Sequence, residues 1–396
     1  MKIAQVAPLY EAVPPKLYGG TERIVSALTE ALVVRSHDVT LFASGESKSG
    51  AKLVASRGSA LRLDPSPKSD IAAHLNMLAQ VKSRADQFDV IHFHTDLLHF
   101  PIFEELADKT LTTLHGRLDL EGLPEVFQRW SKYPLISISD NQRNPLKGAN
   151  WRETIHHGLP GDWLVPTQHP RGDYLAFIGR ISSEKGVDRA IRIAATAGMP
   201  LLIAAKVSRD DQDYFYDSIE PMLQLGDTKL IGEIGEKDKP EFLGNAAALL
   251  FPVDWPEPFG LAMIEAMACG TPVIAWRNGS VPEIVEDGVT GFIVSDEAAA
   301  VEAVARASKL DRRQIRQVFE ERFSAGRMAD KYAEVYNGIM RRPTPFRRAV
   351  TTLPWAARSD SHISQKRAIA AQKPLKPAEY DTANGSIIVP GSGVGQ

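Results

Sequence analysis

The sequence has one cysteine, Cys269, among 396 residues, which excludes an internal disulfide framework and suits a reducing compartment. Set among apolar neighbours just before Gly270, that thiol is expected to be a small core residue and not a nucleophile. An excess of either charge is also missing. With 46 basic against 49 acidic residues and a net charge of -3, the chain as a whole is not built to bind nucleic acid or another polyanion. No apolar run approaches the roughly 20 residues that span a bilayer. The apolar stretch before Pro8 in "MKIAQVAPLY" is too short for a signal-peptide core. These absences predict a soluble, cytoplasmic protein.

What is present is alternation. Short β-rich runs at 3–7, 39–44, 90–95, 111–116, 135–139 and 154–158 are separated by helical patterns, and a second series follows at 174–179, 201–205, 229–234, 247–252, 272–276 and 291–294. Such alternation predicts parallel sheets with crossover helices, and the restart near residue 170 predicts two doubly wound domains. The Pro- and Gly-containing stretch 158–173 reads as the linker, about which the halves are expected to close and exclude water from a hydrolysable substrate. The expected boundaries are 1–160 for an amino-terminal domain, 161–325 for a carboxy-terminal domain, and 326–342 for a helix returning to the first domain. Residues 343–396, rich in Pro, Ser, Gly and Ala, are expected to be a disordered tail. The tail's opening carries Arg341, Arg342, Arg347, Arg348 and Arg358 beside Phe346 and Trp355; its prolines break any amphipathic helix and favour a solvated basic segment over a weak peripheral contact at the inner face of a membrane.

Facing sheets direct attention to residues just after strands, because open α/β sheets bind ligands at their carboxyl ends. After 174–179 comes "GRISSEKGVDRAI", which places Arg180, Lys185 and a helix start near Val187 around one spot. Two cations and a helix N-terminus can receive a diphosphate without a metal, although an ordinary βα loop would look similar. The glycines here form neither G-x-G-x-x-G nor a P-loop.

After 247–252 comes "VDWPEPFGLAMIEAMACG". Glu257, between Pro256 and Pro258, must be a loop residue. Glu265 falls within the apolar stripe of the following helix, with no Lys or Arg at 261, 262, 268 or 269, so it is either buried or aimed into a cleft. Gly260 permits close approach of a ligand to the backbone, and the amides of 260–262 are free at the helix start. Two carboxylates beside free amides suit a neutral polyhydroxylated ligand such as a ribose or hexose.

Other polar residues have plainer readings. His92 and His94 share one strand face and are expected to be packed or hydrogen-bonded, without a metal. Glu22 suits a helix start, and Asp119 either pairs with Arg117 or orients an acceptor, with Glu283 in a similar position.

The segments "EPFGLAMIEAMACGTPVIA" and "GSVPEIVEDGVTGFIV" resemble the E-x7-E region of the retaining glycosyltransferases of family four, which have the GT-B fold of two Rossmann-like α/β domains. "YGGTERIVSALTEALVVRSHDVTLFAS" and "FIGRISSEKGVDRAI" are similar to the same family's amino-terminal loop and diphosphate loop, and the resemblance covers residues 1 to 340. It implies an enzyme that moves a hexose from a nucleoside-diphosphate sugar, UDP-glucose first and GDP-mannose next, to a hydroxyl acceptor, with retention and with no cofactor or metal. Arg180 and Lys185 are implied to bind the diphosphate, Glu265 the ribose, and Glu257 the hexose near its 3-hydroxyl. Phe259, Gly260 and Leu261 are implied to contact hexose and phosphate through their backbone, with Gly19 and Gly20 approaching from the opposite domain. Ile234, in "GEIGEKD", is implied to border the base, and His115 to lie beside the transferred sugar. Retention implies front-face attack or a double displacement through a carboxylate. A catalytically inactive nucleotide-sugar-binding protein, or a phosphorylase or epimerase on the same fold, are the alternatives. The acceptor loops are expected around 11–20, 50–70 and 117–130.

Overall fold

The computed structural model describes residues 1–341 apart from 17, 18, 63 and 67, so the expectations for the tail lie outside the described residues. Two parallel sheets organise the chain. The first contains β1 (Lys2–Val6), β2 (Asp38–Ser44), β3 (Lys52–Arg57), β4 (Val90–Phe93), β5 (Thr110–Thr113), β6 (Leu135–Ser137) and β7 (Trp151–Thr154), in the order β3-β2-β1-β4-β5-β6-β7. The second contains β8 (Leu175–Arg180), β9 (Leu201–Lys206), β10 (Thr228–Gly232), β11 (Ala248–Phe251), β12 (Val273–Trp276) and β13 (Gly291–Val294), in the order β10-β9-β8-β11-β12-β13.

Helices cover these sheets, so the central strands are buried runs such as "IAQV" and "ALLF" that read directly as strands. The edges read less clearly. β3 lies within the segment expected as the 50–70 loop; its half-exposed "KLVASR" carries no apolar run because one side of the strand has no neighbour. β7 lies earlier than the expected 154–158 run, and its charged "WRET" is again an edge sequence. The apolar and histidine residues that follow leave the sheet, and His157 stacks on His115 with ring centroids 5.2 Å apart.

In each sheet the order reverses beside the first strand, between β1 and β4 and between β8 and β11. Ligand sites of doubly wound sheets lie at such switch points.

The chain passes between the sheets twice, at adjacent places. Leu159 N donates to Phe323 O at 2.9 Å and Ala325 N donates to Leu159 O at 2.9 Å. A Cβ on Gly158 would stand 2.4 Å from Ser324 O, so the crossing requires glycine. The helix Ala325–Met340 then lies against the first helix, Gly20–Val34, and buries Tyr332 and Tyr336. Among the described residues no helix is long and apolar enough to cross a membrane.

Candidate active site

One cavity of about 830 Å³ lies where the carboxyl ends of the two sheets meet, and it is lined by Gly19, Gly20, His115, Arg180, Lys185 and Ile234. Glu257, Phe259, Gly260, Leu261 and Glu265 complete its wall on the side of the second sheet. The residues that the family resemblance implies for the site therefore share one space, whereas His92, Asp119, Glu283 and Cys269 do not line it.

Glu265 lies in the helix Leu261–Ala268, with 3% of its surface exposed. It has no charged neighbour along that helix, but it is not unpaired. Lys239 Nζ donates to its Oε1 at 2.7 Å and Arg23 Nη1 donates to the same oxygen at 3.4 Å. Arg23 and Lys239 also pair with Glu236. Burial alone would raise the Glu265 carboxyl; Lys239 and Arg23 outweigh that and hold it below the ordinary carboxylate range. Both cations use Oε1, and among the described residues Oε2 has no protein partner, so it keeps its acceptor capacity toward the cavity.

Arg23 comes from the first domain and Lys239 from a short helix, Lys239–Gly244, in the second. Neither was legible as a partner of Glu265, because local spacing reports neighbours one turn away and not those brought together by the fold.

Glu257 sits in a clamped loop. Its amide donates to Trp255 O at 2.7 Å, its carbonyl accepts from Ser280 N at 3.0 Å, and a Cβ on Gly279 would strike its backbone. Lys185 Nζ donates to Glu257 Oε2 at 2.5 Å. The cation of the β8 loop is thus held by the acid of the β11 loop. Lys185 and Arg117 lie 5.4 Å and 5.3 Å from the Trp255 ring centroid, so an aromatic from the second domain meets a guanidinium from the first.

Arg180 leaves β8 and is held by Glu184, Nη2 to Oε1 2.6 Å, and by Asp211, Nε to Oδ2 3.3 Å. The helix Val187–Ala197 begins at Gly186, whose φ of 72 and proximity to Pro252 O leave no room for a side chain. Gly260 is similar, with φ 79 and a would-be Cβ 2.8 Å from both Phe251 and Met263. Opposite these, Gly20 faces Leu261 Cδ1, and no side chain caps the helix that begins there. Uncapped amides facing a cleft are ready donors for an anion.

His115 follows β5, and burial pushes its pKa down to about 3, so its ring is neutral across the physiological range. Its Nε2 is 2.9 Å from His94 Nδ1, and His94 Nε2 is 2.8 Å from Gln5 Oε1. Gln5 Nε2 in turn donates to the Tyr336 hydroxyl at 3.0 Å. With the Gln5 amide in this orientation, His94 carries its proton on Nε2 and accepts at Nδ1 from His115 Nε2–H. That leaves His115 Nδ1 as an acceptor, buried and, among the described residues, without a hydrogen-bond partner.

His92 bonds the Tyr336 hydroxyl and Thr113 Oγ1, both at 2.8 Å. The strand histidines are thus packed, hydrogen-bonded groups. Asp119 pairs with Arg117 at 2.7 Å, Glu283 accepts from the amides of Asp140 and Asn141, and Cys269 is buried, its thiol pushed up to about 12.

Two Rossmann-like parallel sheets facing a cleft, with cations and carboxylates at their strand ends, are the architecture of GT-B glycosyltransferases. Residues 166–322 match the model of glycosyl transferases group 1, and residues 18–146 match that of glycosyltransferase family 4. The chain belongs to this glycosyltransferase family. A glycogen synthase of Mycobacterium tuberculosis is 27% identical over 368 residues, covering 78% of this chain and 86% of the relative. Among solved structures, sucrose-phosphate synthase from Thermosynechococcus elongatus superposes with a TM-score of 0.71 at 19% identity, covering 86% of this chain and 99% of that one. Anabaena HepE in complex with UDP-glucose gives 0.67 at 17% identity, covering 85% and 100%.

Proposed function

We propose that this enzyme transfers a hexose from UDP-glucose, or next from GDP-mannose, to a hydroxyl acceptor, with retention at the anomeric carbon and without a metal. The reading is carried by Arg180, Lys185, Glu257, Glu265 and His115 lining one cavity from both sheets.

On donor binding, Lys185 exchanges its bond to Glu257 for a phosphate oxygen, and Arg180 joins it on the diphosphate. Glu257 is then released to accept from the hexose near its 3-hydroxyl. The ribose hydroxyls donate to Glu265 Oε2, and the main chain at Ile234 borders the base. The amides of Phe259, Gly260 and Leu261 reach hexose and phosphate, and the Gly19–Gly20 turn closes on the diphosphate from the first domain. The neutral His115 ring lies beside the transferred hexose.

Cleavage of the donor places negative charge on the departing diphosphate. Two fixed cations and helix N-termini stabilise that charge, which is the role a metal would otherwise fill. With His115 neutral, the proton of the attacking hydroxyl passes to the leaving phosphate oxygen on the same face; a double displacement through a carboxylate is the competing route.

A thermal-shift panel of UDP, GDP, ADP and their sugars tests the donor, since a ligand bound only by the folded state stabilises it by mass action. UDP and UDP-glucose are expected to raise the melting temperature, and a panel without any shift would contradict the proposal. Proton NMR of the first-formed product tests retention: an α-linked product from an α-linked donor supports it, and a β-linked product contradicts it.

A further inference from the structure

The amino-terminal wall of the cavity holds a carboxylate that the donor does not use. Asp96 follows β4, two residues after His94, at the strand end beside the switch point. Its φ of 49 is a left-handed conformation, uncommon outside glycine and concentrated at functional sites. The side chain lines the same cavity as His115 and Glu257. Asp96 is exposed at this wall, and among the described residues its carboxylate has no hydrogen-bond or ion-pair partner. An exposed carboxylate on the wall of a cavity is free to accept a hydrogen bond from a ligand hydroxyl.

Exposed apolar side chains also border the cavity, and two arginines that line it are matched. Tyr10, Leu98 and Leu120 are 39%, 38% and 50% exposed, and all three border the cavity. Arg62 pairs with Glu11 at 3.0 Å, and Arg117 holds Asp119 through bonds of 2.7 and 2.8 Å. Lys206, reaching in from the second sheet, also acts on Glu11.

We infer that Asp96 accepts a hydrogen bond from a hydroxyl of the acceptor, and that the acceptor is an uncharged sugar or glycoside whose C–H face rests on Tyr10, Leu98 and Leu120. A pyranose matches both features of this wall, since its hydroxyls donate to a carboxylate and its ring presents apolar C–H groups. A phosphorylated acceptor would bring its anion beside Asp96, with the neighbouring guanidiniums already engaged. The inference deepens the proposed function and rests on it.

The test uses the full chain, UDP-glucose as donor, and nucleotide release measured with and without acceptor. Maltose and octyl β-glucoside are the neutral probes; glucose 6-phosphate and inositol 3-phosphate are the charged ones. The variants are Asp96→Asn and Asp96→Gly, both compatible with a left-handed backbone, so the fold is retained. The neutral probes are expected to accelerate release and the phosphates are not. A hydrogen bond to a charged group predicts a loss in kcat/KM for the neutral acceptor of about 10- to 100-fold in Asp96→Gly and a smaller loss in Asp96→Asn. The thermal shift given by UDP should persist in both variants. Acceleration by the phosphates alone, by none of the four probes, or equally in wild type and Asp96→Gly would overturn the inference while the UDP shift leaves the donor reading standing. Absence of that shift in the wild type would overturn the donor reading itself, and this inference with it.

Discussion

Lys239 Nζ and Glu265 Oε1 lie 2.7 Å apart in an ion pair whose two side chains are almost sealed from water. Arg23 extends the pair from the opposite domain. The arrangement keeps Glu265 ionised inside the cavity and makes this side of the cavity part of the folded core, because either charge buried alone would be strongly unfavourable.

Lys239→Ala is therefore expected to destabilise the protein by about 3–5 kcal/mol. Replacing both members, as in Lys239→Met with Glu265→Gln, should cost less than the single change. The folded Glu265 carboxyl is depressed, so the stability it contributes is present above the ordinary carboxyl range and lost as pH falls through the depressed value. Urea unfolding at neutral pH decides the matter, and equal midpoints for wild type and Lys239→Ala would refute the assignment.

Lys185→Ala should lower turnover by about 10²- to 10³-fold, the magnitude seen when one fixed donor to a developing anion is removed. Lys185 and Glu257 are both partly open to solvent, so the melting temperature should move less than in Lys239→Ala. Steady-state kinetics beside a melting curve separates the two effects; unchanged kcat would remove Lys185 from the reaction.

Acid sensitivity follows from the buried histidines. Burial holds His92, His94, His99 and His157 well below the ordinary imidazole value, and His115 is held at about 3. Below about pH 6.5 the unfolded chain binds protons that the folded protein refuses, so stability falls as pH drops from there. Each such histidine adds a slope of about 1.4 kcal/mol per pH unit. Unfolding free energies measured between pH 7 and pH 5 should decline accordingly, and His99→Gln should reduce the slope by one proton's worth. A flat profile would count against neutral burial.

Gly260→Ala tests the close approach at the helix start. A Cβ there meets Phe251 and Met263 at 2.8 Å, and the φ of 79 disfavours any side chain, so a loss of about 1–3 kcal/mol is expected. Weaker UDP binding by calorimetry should accompany it. A variant as stable as wild type would show that the loop adapts.

The sequence made the central strands and the signature helix legible because each is a local pattern: a buried run, a proline-bounded loop, a carboxylate in an apolar stripe. β3 and β7 were obscured because edge strands expose one side and dilute that pattern. At the site, Glu257 and Lys185 stood out singly, but their bond spans 72 positions and no spacing announces it. The Gln5–His94–His115 chain needs three adjacent strands and the Tyr336 helix to be assembled first. Asp96 carried no periodic signal at all; its backbone angle and its place on the cavity wall exist only in three dimensions.

A crystal structure of the complex with UDP-glucose addresses the central claim most directly. The account predicts the diphosphate within hydrogen-bond reach of Arg180 and Lys185, the ribose on Glu265, and Lys185 moved off Glu257. Nucleotide bound outside this cavity, or Lys185 still joined to Glu257 with the donor in place, would contradict it.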